Sequence, residues 1–331
     1  MSASIPGSKV IKRIPITLLT GFLGSGKTTL LRQMLTAPEW HDTAVLINEL
    51  GEVGLDHHLL WGASDAVMVM ENGCICCSVR DDLATVLEDL FWRRLQRQVP
   101  YFSRVVIETT GLADPGPVAA LLRSHALIAE RYALDNVLCT ADAVLGALHL
   151  ARHRESVAQA ASADAIVVTK TDLASEQAID ALEAMLRSIN PMAALSRTGT
   201  GQFTPALLQA HGGTPATPPA DGVAGGHLYH HRVRTVSLPF SRPWDRAQFE
   251  HALSVTLATH GARILRIKGL VAVIGEDVPM VVQAVQETMF PLERLPAWPG
   301  KKRDSFIVCI TMGLADDAIA AAFRSHLDVP I

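Results

Sequence analysis

Apolar runs alternate with helix-spaced apolar positions along the first two-thirds of the chain. The runs contain few polar residues, which is typical of strands in a parallel sheet whose two faces are both covered. They predict strands at residues 14–19, 44–47, 66–70, 104–107, 136–139 and 165–168. Apolar residues three and four apart predict helices, among them 28–35, 81–96 and 175–189, the last capped by Ser175. We therefore expect an α/β fold with a mostly parallel, doubly wound sheet.

The chain changes character near residue 211. Glycine and proline accumulate between residues 211 and 226, as they do in linkers between domains. Beyond this segment the pattern predicts strands at 233–238, 263–267, 271–274, 278–285 and 306–311, and helices at 246–259 and 315–326. We expect a first domain at residues 1–210, a Gly/Pro-rich linker at 211–229 and a smaller C-terminal α+β domain at 230–331.

Composition narrows the classes of function. Hydrophobic residues make up 49% of the 331 residues and charged residues 19%, as in a globular protein with a filled core. The net charge of −4 argues against general nucleic-acid binding, which normally needs a basic surface. Residues 1–13 lack the apolar core of a signal peptide, and no apolar run approaches the roughly 18 residues of a membrane helix. We expect a cytoplasmic protein with neither a nucleic-acid nor a membrane partner.

A glycine-rich segment between the first strand and the first helix matches the phosphate-binding P-loop pattern. Its glycines let backbone N–H groups turn towards phosphate oxygens, and the following helix adds the partial positive charge of its N-terminus. We expect Lys27 to reach the β- and γ-phosphates and the Thr28 hydroxyl to serve Mg²⁺. The predicted nucleotide contacts of this loop are Gly21, Gly24, Ser25, Gly26, Lys27, Thr28 and Thr29.

A second motif follows the strand at 104–107. Glu108 ends that strand and Gly111 comes three residues later. In P-loop hydrolases an acidic residue at this point supports Mg²⁺ or the attacking water, and a glycine N–H meets the γ-phosphate. The predicted catalytic residues are therefore Lys27, Glu108 and Gly111, although an ordinary strand end with a turn would leave the same pattern.

The segment Thr169-Lys170-Thr171-Asp172 predicts the base that is bound. The Asp172 carboxylate can accept hydrogen bonds from guanine N1–H and from the exocyclic amine, which adenine cannot offer. The stem of Lys170 can lie over the base. Thr169 stands where asparagine is usual, so ATP stays open as an alternative to GTP.

Three cysteines, Cys74, Cys76 and Cys77, lie within four residues just after a predicted strand. Thiols this close suit a soft or borderline metal, with Zn²⁺ as the default and Co²⁺ also open. The fourth ligand could be water, a residue of a partner, or a side chain from Glu49, Glu52, His57 or His58. The alternatives are buried small hydrophobic residues or a redox pair, and for Cys139 and Cys309, in apolar strands, we expect burial in the core.

The ordered motifs quoted above, together with Asn48-Glu49-Leu-Gly-Glu-Val-Gly-Leu-Asp56, resemble those of the CobW-type metallochaperone GTPases. The segment from Arg263 to Leu270 looks like a hallmark of that family's C-terminal domain. The resemblance implies that Lys27 and Thr28 serve phosphate and Mg²⁺, and that Glu49 and Glu108 lie near Mg²⁺ and the hydrolytic water. It also implies that Cys74, Cys76 and Cys77 hold zinc or a related metal, and that Lys170 and Asp172 read guanine.

The function that these features predict is a GTP-driven metal chaperone or insertase. γ-Phosphate would order the loop at residues 49–56 and shape the cysteine site, and hydrolysis would release the metal to a client metalloprotein. A GTP-dependent homodimer is a further expectation, because a second subunit could complete a three-thiol site. Two alternatives remain at this point: a P-loop kinase acting on a small molecule, and a non-catalytic metal-sensing adaptor.

Overall fold

Within the residues that the structure describes, seven parallel strands form the first of two sheets. The computed structural model describes residues 13–48, 67–70, 79–199, 233–299, 303–315 and 317–325. The strands of the first sheet lie in the order β3-β2-β4-β1-β5-β6-β7. In chain order they are β1 (Ile14–Gly21), β2 (Thr43–Asn48), β3 (Val67–Met70), β4 (Arg104–Glu108), β5 (Tyr132–Asp142), β6 (Ala165–Thr169) and β7 (Ala194–Arg197).

Helices cover both faces of this sheet. They are α1 (Lys27–Leu35), α2 (Val79–Leu95), α3 (Gly116–Ser124), α4 (Ala126–Arg131), α5 (Gly146–Arg152), α6 (Arg154–Ser162) and α7 (Glu176–Ile189). Leu18 and Leu46 pack with α2, α3 and α4, whereas their neighbours Leu19 and Val45 pack with α1 on the opposite face. Both faces of each strand are thus buried, which explains why the strands read as nearly continuous apolar runs.

Antiparallel strands form the second sheet, in the order β11-β10-β9-β13-β8, with β12 paired to β10. The strands are β8 (Val233–Phe240), β9 (Ile264–Val271), β10 (Met280–Val285), β11 (Thr288–Met289), β12 (Glu293–Arg294) and β13 (Ser305–Met312). Helices α8 (Arg246–His260) and α9 (Ala318–Arg324) cover one face. Val233, Leu265 and Ile310 of the other face pack into the same core as α6 and α7 of the first sheet.

Local signals placed most elements correctly. Ser175 caps α7 as predicted, since its side chain accepts a hydrogen bond from Ala178 N at 3.3 Å. The predicted strand at 271–274 is wrong. There β9 ends at Val271, Val273 forms only an isolated bridge with Trp244, and the chain turns at Gly275 with φ of +85°. Apolar side chains fill the core at this point without any strand.

A buried cluster of charges joins the two sheets. Arg266 and Lys268, on the same face of β9, both pair with Asp164 just before β6. The three side chains are 3%, 6% and 8% exposed in that order, so the cluster is withdrawn from water. Burial alone would raise the pKa of Asp164, but the two cations outweigh it and hold the pKa below that of an ordinary aspartate.

The proposed linker at 211–229 lies outside the described residues. Within the described part of the chain, no helix has both the length and the apolar character required to cross a bilayer.

Candidate functional site

The loop between β1 and α1 has the backbone conformation of a phosphate cradle. Gly24 and Gly26 have φ of +70° and +92°, in a region that other residues rarely adopt. Gly21 has no room for a side chain, because an added Cβ would overlap Thr140. Helix α1 begins at Lys27 with no side-chain cap and no acidic residue in its first turn. The first backbone N–H groups of a helix have no intrahelical acceptor, and here no side chain caps them. This end of α1 is therefore suited to bind an anion.

Lys27 lies within the loop that it is predicted to serve. Its Nζ donates to the carbonyl oxygens of Gly21 at 3.0 Å and Phe22 at 3.3 Å, and the residue is 9% exposed. The ammonium is thus held over the loop by neutral carbonyl groups. Phosphate oxygens would offer it stronger, charge-assisted hydrogen bonds from nearly the same position.

Side chains from the ends of β5 and β6 hold the loop in place. The hydroxyls of Ser25 and Thr140 are hydrogen-bonded at 2.6 Å. Thr169 Oγ1 donates to Ser25 O at 2.7 Å, and Lys170 Nζ donates to Gly24 O at 2.7 Å. A hydroxyl has a single proton, and Thr169 donates it to the loop backbone. The usual asparagine would still have a second N–H donor to offer a base.

Asp142, the last residue of β5, is a site residue that sequence reasoning missed. It accepts from Lys170 Nζ at 2.6 Å and from Val144 N at 2.7 Å. Burial raises the pKa of Asp142, but the hydrogen bonds from Lys170, Val144 and Leu145 outweigh it and lower the pKa overall. The carboxylate therefore holds the ammonium of Lys170 in place. Its position at the carboxyl end of a strand beside the phosphate loop was the signal that could have identified it.

Glu108 and Thr28 meet at the mouth of the loop. Thr28 Oγ1 donates to Glu108 Oε1 at 2.8 Å, although the residues are 80 positions apart in the chain. The parallel pairing of β1 with β4 sets this contact, because Leu19 lies opposite Glu108. Glu108 is 4% exposed. A hydroxyl and a carboxylate oxygen together form a donor set that suits Mg²⁺.

Gly111 lies directly against the phosphate loop. Thr109 N donates to Leu19 O at 2.9 Å, which ties the start of this segment to β1. A Cβ added at Gly111 would lie 2.6 Å from Leu23 N and 2.7 Å from Leu23 Cα. Only glycine allows this approach of the two backbones, so the segment after β4 and the phosphate loop are in direct contact.

Asp172 lies at the open side of the site. It belongs to a 3₁₀ turn, Thr171–Leu173, whose first residue donates from its backbone N to Thr198 O at 3.4 Å. A Cβ at Gly199 would lie 3.3 Å from Asp172 Oδ1. The segment at 196–199 thus runs beside the predicted base-reading carboxylate. Thr29, also a predicted contact, is exposed in the first turn of α1.

The predicted metal ligands Cys74, Cys76 and Cys77, and Glu49, lie outside the described residues. Strand β3 precedes the cysteines and ends at the same edge of the sheet as β1, because the strands are parallel. The residues described contain no group of three metal-binding side chains. The remaining two cysteines, Cys139 and Cys309, are buried in the core as predicted, and burial raises the pKa of each thiol to about 12.

Two protein-family models match the chain. The CobW/HypB/UreG nucleotide-binding domain matches residues 15–197, and the C-terminal domain of the cobalamin synthesis protein CobW matches residues 233–327. The first match contains the phosphate loop and the Thr169–Asp172 segment, and the second contains the sheet that carries Arg266 and Lys268.

Individual relatives match over most of the chain. The zinc chaperone YjiA of Escherichia coli is 33% identical over 316 residues, which cover 94% of this chain and 98% of YjiA. The zinc-regulated GTPase metalloprotein activator 1 of Schizosaccharomyces pombe is 32% identical over 198 residues, or 57% of this chain and 47% of that protein. The crystal structure of Zn(II)-bound YjiA GTPase from E. coli superposes with a TM-score of 0.73 at 28% identity. The superposition covers 96% of this chain and 100% of the YjiA chain. Two matched domains in the same order, with a matched structure, establish that this chain belongs to the CobW/HypB/UreG family.

Proposed function

We propose that this protein is a GTP-hydrolysing zinc chaperone. It binds Zn²⁺, or Co²⁺, at Cys74, Cys76 and Cys77 in a manner that depends on the bound nucleotide, and delivers the metal to a client metalloprotein in the cytoplasm. The observation that carries the proposal is the contact of Thr28 with Glu108 beside the Lys27 loop, since it joins phosphate-binding and magnesium-binding groups at one point.

Each residue of the loop has a distinct part in the proposed hydrolysis. Lys27 transfers its hydrogen bonds from the carbonyl groups of Gly21 and Phe22 to phosphate oxygens, where it neutralises charge that develops in the transition state. The N–H of Gly111 donates to the γ-phosphate. The contact of Gly111 with Leu23 places this N–H beside the phosphate loop. Asp172 accepts from guanine while Lys170, fixed by Asp142, lies over the base.

Thr28 and Glu108 would hold Mg²⁺ in the nucleotide complex. The hydroxyl and carboxylate oxygens already face one another at 2.8 Å. When bound, the ion would neutralise negative charge on the phosphates. Glu49 is proposed to lie near the same ion, as the family resemblance implies.

Zinc is the cargo in this proposal. Cysteine thiolates are preferred ligands of Zn²⁺, and three of them leave one position for water, a client or a second subunit. An incomplete protein shell suits a metal that must leave again. We expect the GTP-bound protein to be a homodimer, and we expect its client to be a metalloprotein, as the name of the S. pombe relative indicates for that protein.

A zinc titration tests the coupling directly. Zn²⁺ is titrated against a competing chelator into the reduced full-length protein, with Mg²⁺ and either a non-hydrolysable GTP analogue or GDP. We expect zinc to bind about 10-fold tighter or more in the GTP-like state, as is usual for coupled sites. Cys77→Ala should abolish the difference.

The matched control is Cys309→Ala, which removes a thiol buried in the second sheet and should leave zinc binding unchanged. Equal zinc affinity in both nucleotide states would contradict the chaperone proposal. Transfer of phosphate to a small molecule would instead identify a kinase, and partner binding without any turnover would identify an adaptor.

Asp172→Asn should exchange the base specificity. Asparagine presents an N–H donor where guanine also presents donors, so GTP affinity should fall on the order of 10²-fold. Xanthine carries a carbonyl in place of the exocyclic amine, so xanthosine nucleotides should now bind better than guanosine nucleotides. Competition of both nucleotides against a fluorescent GDP measures the exchange. An unchanged GTP affinity would show that Asp172 does not read the base.

A further inference from the structure

The segment between β4 and α3, residues 109–116, is held from two sides. On the inner side its backbone lies on the phosphate loop, through Gly111 and Leu23. Helix α6 contributes two buried hydrogen bonds there: Gln159 Nε2 donates to Gly111 O at 3.1 Å and to Ala113 O at 3.0 Å. Gln159 is fully buried, at 0% exposure, so these bonds are shielded from water. The position of Gly111 is therefore determined by more than the phosphate loop alone.

The outer side of the same segment is held by the second sheet. Gln286 Nε2 donates to Asp114 Oδ2 at 2.7 Å, across 172 positions of the chain. The other oxygen of that carboxylate, Oδ1, accepts from Gly116 N at 2.9 Å and so shapes the start of α3. The side-chain amide of Gln286 also lies close to Gly116, where an added Cβ would be 2.2 Å from Gln286 Cδ. The amide of this one glutamine thus contacts the segment at both Asp114 and Gly116.

Gln286 lies in a two-residue turn and has an unfavourable backbone conformation. Val285 pairs with Thr288, so Gln286 and Glu287 form the turn between β10 and β11. Gln286 has φ of +51°, a left-handed conformation that is unfavourable for a residue with a side chain. Glycine or asparagine would be the easier choice for such a turn. Backbone strain of this kind persists where the surrounding structure over-determines it, as the amide contact with Asp114 does here.

The sheet that carries this turn packs against helices of the first domain. The second sheet shares a core with α6 and α7, and Arg266 Nη1 donates to Ser162 O at the end of α6. Helix α6 is the helix that carries Gln159. The two glutamines that contact the segment at 109–116 thus lie on α6 and on the sheet that packs against it.

From these contacts we propose that Gln286 is a positioning residue for the γ-phosphate. Acting through Asp114, it sets the height of the Gly111 backbone over the phosphate loop, so that the C-terminal sheet and the nucleotide site respond to each other. The inference rests on the proposed GTPase activity and adds a residue from the second domain to it. GDP lacks the γ-phosphate, so only GTP binding and hydrolysis depend on this contact.

The test uses the full-length protein with Gln286→Glu, Asp114→Asn and the double variant that carries both. Gln286→Glu places two carboxylates against each other, whereas the double variant restores an amide–carboxylate hydrogen bond with its polarity reversed. We expect Gln286→Glu to lower kcat for GTP and the affinity for a non-hydrolysable GTP analogue by about 5-fold or more, a typical size for coupling between sites. Affinity for GDP should stay within about twofold, and the double variant should recover most of the loss.

Glu293→Gln is the control, because it removes an exposed charge from β12 of the same sheet and should change nothing. Equal losses for GDP and for the GTP analogue would assign Gln286 a merely structural role and overturn the proposal. So would single variants that match the wild type, or a double variant without recovery. A wild-type protein that neither binds nor hydrolyses GTP would instead refute the proposed function, which is a separate outcome of the same assays.

Discussion

Lys27→Ala should lower the rate of GTP hydrolysis by about 10²- to 10³-fold, the usual cost of removing one charge-stabilising donor from an active site. The ammonium of Lys27 lies within the loop, with its Nζ 3.0 Å from Gly21 O. Without it, charge on the phosphoryl oxygens in the transition state has no counterpart at this position. Phosphate release under saturating Mg²⁺–GTP, measured alongside nucleotide affinity, checks the prediction.

The matched control is Thr36→Ala on the same helix. Thr36 follows α1 at its far end, where its hydroxyl donates to Gln33 O in an exposed position. This variant should hydrolyse GTP at the wild-type rate. Thermal unfolding of both variants separates a loss of catalysis from a loss of fold, and a folded Lys27→Ala protein with full activity would exclude the loop as the catalytic site.

Asp164→Ala should destabilise the protein by about 3–5 kcal/mol, because it leaves the charges of Arg266 and Lys268 buried without a partner. The free energy of unfolding from chemical denaturation measures this loss. Replacing both cations with methionine in the Asp164→Ala background should recover part of it, since the remaining buried charge would then be gone. Failure of the triple variant to recover would show that packing rather than charge sets the cost.

Arg197 provides the contrasting control. It pairs with Glu176, Asp180 and Glu183 along α7, which is more ion pairs than Asp164 makes, but its side chain is 37% exposed. Exposed pairs are screened by water, so Arg197→Ala should leave the free energy of unfolding close to that of the wild type. Burial, and not the number of ion pairs, is expected to decide the difference between the two variants.

The same cluster predicts how stability depends on pH. The folded protein lowers the pKa of Asp164, so its contribution is complete above the pKa of an unfolded aspartate, about 4, and is lost as pH falls through the lower folded value. Wild-type stability should therefore drop below about pH 4, and the Asp164→Ala variant should show a shallower drop. Parallel denaturation series at several pH values compare the two slopes.

Much of the nucleotide site was predictable because its parts are local in sequence. The loop from Gly21 to Thr28 carries its own signature, since glycine conformation and a helix N-terminus need only neighbouring residues. Glu108 and Gly111 were predictable because a strand end in an α/β sheet points its following residues at the ligand edge. The cysteine cluster was equally evident from spacing, and its metal-binding role stays a prediction because these residues lie outside the described part of the chain.

The residues that sequence reasoning missed all act across long distances in the chain. Asp142 supports Lys170 from 28 positions away, and Gln286 reaches Asp114 from 172 positions away. For Asp142 only the strand end gave a signal, and for Gln286 no local pattern marks the partner. The predicted strand at 271–274 was wrong for a related reason: Val271 ends β9 and Val273 is buried beside an isolated bridge to Trp244, so the two valines have the apolar spacing of a strand without forming a new one.

The sequence by itself determined the class of fold and the phosphate loop, and it predicted a guanine base and a metal site at the three clustered cysteines. These properties depend on periodicity and on residue types within short segments, which a single chain displays directly. Only the tertiary structure decided that Thr169 donates to the loop backbone, that Asp164 pairs with cations of the second sheet and that Gln286 contacts the segment carrying Gly111. Those contacts arise from the packing of distant elements against each other, and hydrogen bonds formed in that way leave no trace in the order of residues along the chain.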